Sequence, residues 1–214
     1  MVFLTHAKVR LALHELQSGL GVSLLLLHGL GERSPDVLPD WFDAWRGPIA
    51  ALDFTGHGAS TVPRGGGYSA EILMGDVDAA LQHLGEATLF GRGLGAYIAL
   101  LAAGARPDAV KGAILADGPG LAGGGSRPGS PTIAAVDPTE AGPPDPFALV
   151  EMARDLRPPD YATAFARQAL HLAALERPIT VCARERPEWL QAVIDEPGVE
   201  VMTLDEAIAY YTQI

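Results

Sequence analysis

Three glycine-rich runs hold the groups that could do chemistry: HGLG at 28–31, DFTGHGAS at 53–60 and GRGLG at 91–95. They supply His28 and His57, imidazoles that can move a proton near neutral pH when a carboxylate orients them. Asp117, in the run DGPG that closes a later apolar segment, is a carboxylate available for that task. Such a pair would activate water or abstract a proton. Arg92 carries a planar fork of donors for Asp117 or for an anionic ligand, and Tyr97 adds a hydroxyl. Gly29, Leu30, Gly93 and Leu94 flank the sharp bends in these runs, and the positive end of the helix that starts after Gly93 could anchor a carbonyl, a carboxylate or water.

Each of these residues also has a structural use. Asp53, His28 and His57 suit turn hydrogen bonds, and Arg92 and Asp117 can satisfy one another. His6, His14, His83 and His171 show no ligand spacing such as HExxH, so no metal site is expected. With a single cysteine, Cys182, neither an internal disulfide nor a Cys-rich metal site can form. GRGLG lacks the third glycine of a dinucleotide fingerprint and no GK[ST] follows it, so no cofactor is expected.

The elements that must position these groups alternate along the chain. Val2–Thr5 and Val9–Glu15 read as an antiparallel edge. Val22–His28 is a near-continuous apolar run, the pattern of a strand buried on both faces. Asp36–Trp45 is expected as a short helix and Ile49–Phe54 as a strand. Tyr68–Leu84 has helical spacing. Ala87–Phe90 runs into GRGLG and an apolar helix from Leu94 to Ala103, and Lys111–Ala116 follows as a strand. The order implies parallel strands with right-handed crossovers. Residues 118–146 are dense in Gly and Pro and read as a lid. Helices at Pro146–Asp155 and Tyr161–Leu175 complete a cap region, 118–175, in which Phe147, Met152, Tyr161 and Phe165 either line a cavity or form core. Strands Ile179–Ala183 and Val199–Leu204, with helices at Glu188–Asp195 and Glu206–Thr212, end the chain, and a single domain over 1–214 is expected.

Composition narrows the partners. Apolar residues make up 48% of the 214 and charged ones 19%, which fits a well-buried globular core. The formal charge of −11 argues against nucleic acid as a partner, because binding a phosphate backbone requires clustered Lys and Arg. The start, MVFLTHAKVR, has no secretory-signal pattern, and no apolar run approaches the roughly 18 residues of a membrane helix, so a cytoplasmic protein without membrane partners is the expectation.

HGLG, DFTGHGAS and GRGLG, in this order and each at a strand end, resemble the motifs of the α/β-hydrolase superfamily. The resemblance implies an α/β fold with a mostly parallel, roughly eight-stranded sheet, helices on both faces and the site outside the carboxyl ends of the strands. It also makes GRGLG the nucleophile elbow, G-x-S-x-G, with Gly93 where the serine belongs. Glycine has no hydroxyl, so no acyl-enzyme can form there. The acid expected after the penultimate strand falls near Pro187, beside Glu185 and Glu188, and no histidine occurs after His171. The resemblance therefore implies a hydrolase-like protein without the usual triad, whose oxyanion-type pocket binds a small carbonyl or carboxylate, or which binds a protein. The alternative is a hydrolase or lyase of non-standard mechanism using His28 or His57 with Asp117.

Overall fold

The computed structural model describes residues 1–124 and 142–213. The stretch between them, most of the expected lid, lies outside the described residues. Eight strands form one sheet: β1 (Val2–His6), β2 (Val9–Gln17), β3 (Ser23–Leu27), β4 (Ile49–Leu52), β5 (Ala87–Arg92), β6 (Val110–Ala116), β7 (Ile179–Val181) and β8 (Glu200–Val201). Their order is β1-β2-β4-β3-β5-β6-β7-β8. The β1/β2 hairpin is antiparallel, as is the pairing of β2 with β4, and all later pairs are parallel.

The unbroken leucines of β3 are explained by burial on both faces. Leu25 and Leu27 join the larger core, beneath α1 (Ala70–Leu84), α2 (Leu94–Ala105), α4 (Pro159–Leu172) and α5 (Glu188–Ile194). Leu24 and Leu26 join a second cluster with Phe42, Trp45, Phe90 and residues of α6 (Leu204–Tyr211). Each such leucine contributes about 1.5–3 kcal/mol by leaving water, a large term in a marginal balance. α2 is apolar all round because it is buried on every side from Leu94 to Gly104.

Two expectations change in form. Only a 3-10 turn, Asp40–Phe42, survives of the helix expected over Asp36–Trp45. Pro39 disfavours helical backbone at Leu38 and so delays the turn. The last strand shrinks to two residues because Thr203 leaves it to cap α6, with its side chain and that of Glu206 exchanging hydrogen bonds with one another's backbone N–H groups.

The cap region also divides. α3 (Pro146–Arg154) is capped by Asp145 and lies at the site, whereas α4 packs against α2 and α5 as a sheet-flanking helix. A side chain at Gly104 would collide with the backbone of Phe165, which shows how closely α4 approaches α2. Met152 is fully buried and Phe165 packs against the core, while Phe147 and Tyr161 are partly exposed. Among the described residues no helix is long and apolar enough to cross a membrane.

Candidate functional site

The elbow is built by glycines that allow close backbone approach. At Gly91 a Cβ would strike the Gly95 carbonyl, and at Gly95 it would strike the carbonyls of Leu27 and His28. Between them Gly93 turns the chain from β5 into α2 with φ 59° and ψ −121°, a conformation that an L side chain occupies only under strain. Around this turn, Leu30 from the loop after β3 and Leu94 at the start of α2 aim their N–H groups at one point. Two such donors at a helix N-terminus suit a carbonyl or carboxylate oxygen.

That point is occupied by the chain itself. The carbonyl oxygen of Pro119 accepts from Leu30 N and from Leu94 N, both at 2.9 Å. Residues 118–124 lie across the elbow as a strap, and the space a side chain at 93 would need is filled by Pro119 O and the Gly118 carbonyl. Both donors are therefore satisfied internally, as buried N–H groups must be.

Two side chains from distant parts of the sequence hold the strap. Arg157, in the connection between α3 and α4, donates from Nη1 to the carbonyls of Gly120 and Leu121, each at 2.5 Å. Trp189 of α5 donates from Nε1 to Leu121 O at 2.9 Å. Arg157 is almost completely buried, which pulls its pKa down to about 10, with Asp155 and Tyr97 opposing; it remains a cation at neutral pH. The strap's end is tied by Gly124 N donating to Asp155 O at 2.8 Å. Above the strap lies a cleft of about 570 Å³ whose lining includes Leu30, Leu149, Ala153 and Glu185.

The two histidines serve loops. His28 accepts from Phe54 N at 3.1 Å through Nε2 and donates from Nδ1 to Gly29 O at 2.8 Å. His57 accepts from Gly31 N at 3.2 Å and donates to Thr55 O at 3.1 Å. Each ring thus uses both nitrogens, which fixes a neutral Nδ1–H tautomer. Burial, helped by the neighbouring His57, lowers the His28 pKa to about 3, against its bond to Gly29 and the charge of Asp53. Burial lowers that of His57 as well, against its bond to Thr55. Asp53 locks the same turn, accepting from Ala59 N, Ser34 N and His14.

Asp117 meets neither histidine. Its carboxylate accepts from Arg184 N and Glu185 N at the end of β7. The expected pairing of Arg92 with Asp117 is corrected: Arg92 Nη1 donates to Glu32 Oε1 at 2.8 Å, and Glu32 also accepts from Gly29 N. The run HGLGER thus supplies the acid that pairs with Arg92. Tyr97 is buried behind the strap, its ring edge-on to Trp189 at 5.0 Å with the Arg157 guanidinium 4.6 Å from its centroid. It supports the strap's anchor and does not line the cleft. The loop between β8 and α6, Met202 and Thr203, has no imidazole to offer.

Pro119, Arg157 and Trp189 were not legible as site residues. The Gly and Pro of DGPG signal a tight backbone approach after β6, but not which carbonyl goes where. Nothing in LRPPD marks Arg157 as buried.

A mostly parallel eight-stranded sheet, an elbow at the end of β5 and two converging donors define an α/β-hydrolase fold. The family model described as serine aminopeptidase, S33, matches residues 22–131, just over half of the chain, and the protein belongs to that family. No curated protein matches it. Among solved structures it is similar to the monoacylglycerol lipase of Paleococcus ferrophilus, with 18% identity, TM-score 0.65, and 95% of this chain and 98% of that one covered. It is similar also to Est1E from Butyrivibrio proteoclasticus bound to ferulic acid, with 13% identity, TM-score 0.66, and 100% and 97% covered. A thermophilic esterase from Thermogutta terrifontis, malate bound, has 19% identity and TM-score 0.62, with 99% and 95% covered. At these identities the likeness is one of fold.

Proposed function

We propose that this S33-family protein works by binding, without triad-type hydrolysis, and that the Leu30/Leu94 donor pair is where a small carbonyl or carboxylate compound would anchor. The observation that carries this reading is the elbow itself, where Gly93 offers no nucleophile and the Pro119 carbonyl takes the place of a substrate oxygen. Supporting it, His28 and His57 are neutral and committed to loops, and Asp117 is committed to the β7 loop. Serine alone could not be activated without a base in reach.

Exposure to a fluorophosphonate serine probe and a panel of short-chain p-nitrophenyl esters tests the reading. Neither labelling nor histidine-dependent turnover is expected. Labelling at any serine, or ester turnover lost in a histidine variant, would overturn it.

A further inference from the structure

We infer that residues 118–124 are a tethered occupant of the oxyanion site, latched by Arg157, and that the site's external ligand is a neutral peptide-type carbonyl which replaces Pro119 when the strap lifts. This rests on the binding reading above and adds to it the ligand class and the residue that governs access.

The internal occupant defines the chemistry. Pro119 presents an uncharged amide carbonyl to two backbone donors, and both bonds have good length. Around that oxygen Glu185 lines the cleft, Glu32 engages Arg92, and the Arg157 cation is turned to the Gly120 and Leu121 carbonyls with Asp155 3.8 Å from its Nε. A carboxylate would meet the helix N-terminus favourably but these acids unfavourably, and a neutral carbonyl meets only the first.

The latch is strong on one side and incomplete on the other. Nη1 of Arg157 makes both of its bonds to the strap, yet its buried Nη2 has no hydrogen-bond partner among the described residues, and its Nε faces Asp155 Oδ2 at 3.8 Å, an ion pair longer than a hydrogen bond. A buried guanidinium with unmet donors gains by reaching water or another acceptor, so the closed position is not over-determined. Room exists for the move. A second cleft, of about 630 Å³ and lined by Arg157 and Trp189, shares Ala122 and Gly123 with the cleft above the strap, so the strap has space along its flank.

Amide hydrogen exchange at Leu30 and Leu94 reads the strap directly, because Pro119 O protects those two N–H groups. In the wild type both are expected to be protected. In Arg157→Met they should exchange about tenfold faster or more, the size of one or two lost hydrogen bonds, while the amides of Leu25 and Leu89 in the sheet keep their rates. Arg157→Lys should restore part of the protection. Trp189→Phe removes the indole donor along with some buried ring volume and should give a smaller increase that is largest at Leu30 and Leu94, so the test survives a failure of Arg157→Met to fold. N-methylacetamide, followed by the Leu30 and Leu94 amide resonances, should bind Arg157→Met more tightly than wild type, and acetate should shift them less.

Unprotected Leu30 and Leu94 amides in the wild type would sink the proposal. So would rates that rise uniformly through the core in the Arg157 and Trp189 variants alike, or acetate binding as well as N-methylacetamide. None of these outcomes bears on hydrolysis, which the serine probe and ester panel decide separately.

Discussion

A side chain at Gly93 and the carbonyl oxygen of Pro119 exclude one another: a Cβ built on Gly93 would lie far inside van der Waals contact with that oxygen. Restoring serine to the elbow must therefore displace the strap as well as strain the backbone at φ 59°. The strain alone costs roughly 1–3 kcal/mol. Gly93→Ser is expected to lower the melting temperature by about 2–4 °C for each kcal/mol lost and to gain no ester turnover, since no histidine base stands in reach among the described residues. A variant that melts higher than wild type, or hydrolyses p-nitrophenyl esters, contradicts this.

The paired histidines make stability depend on pH. His28 is held neutral, with a folded pKa near 3 against an ordinary 6.5, and His57 is displaced in the same direction. In the unfolded chain each takes up a proton near 6.5, so their contribution is complete above that pH and is lost as pH falls toward the folded values. Urea unfolding at a series of pH values should show a steady loss below about pH 6.5 in the wild type. His28→Gln should be less stable at neutral pH but decline less steeply; equal slopes would rule out His28 as a source.

Arg92 and Glu32 form a half-exposed ion pair, their side chains 39% and 28% accessible. Pairs of this kind are worth about 0–1 kcal/mol, so a double-mutant cycle should return a coupling no larger than that. Glu32→Ala should nonetheless cost more than Arg92→Ala, because it also frees the Gly29 N–H that Glu32 Oε2 accepts at 3.0 Å. Equal losses would mean that the loop after β3 does not depend on Glu32.

Tyr68 ties α3 to the body of the protein. Its hydroxyl donates to Asp145 Oδ2 at 2.6 Å, and Asp145 caps α3 by accepting from Phe147 N. Tyr68→Phe leaves a buried carboxylate short of a donor and is expected to cost about 1–3 kcal/mol. Faster exchange at the Leu149 amide, with sheet amides unaffected, would locate the loss at α3. An unchanged urea midpoint would show that Asp145 holds the helix without Tyr68.

Much of the architecture was readable because burial pattern and strand geometry follow local rules. The alternating edge strand Val2–His6 and the leucine run of β3 reflect one-sided and two-sided burial. The elbow was readable because close packing of strand against helix requires glycine at 91 and 95. Reading failed where a partner comes from far along the chain. Asp117 looked like a companion for Arg92 or for a histidine, and only the packing of the β7 loop shows its oxygens spent on Arg184 and Glu185. The region 118–175 looked like one cap, but α4 carries an apolar face that α2 and α5 bury.

What the sequence determined by itself was which atoms exist: no hydroxyl at position 93, no imidazole after His171, and glycines where the elbow turns. These are facts of covalent composition, and no folding alters them. Tertiary structure alone decided what fills the resulting space. A backbone carbonyl is present at every residue, so its placement in the donor pair depends on side chains at 157 and 189 fixing a strap that begins at 118, and such long-range hydrogen bonds leave no pattern in local sequence.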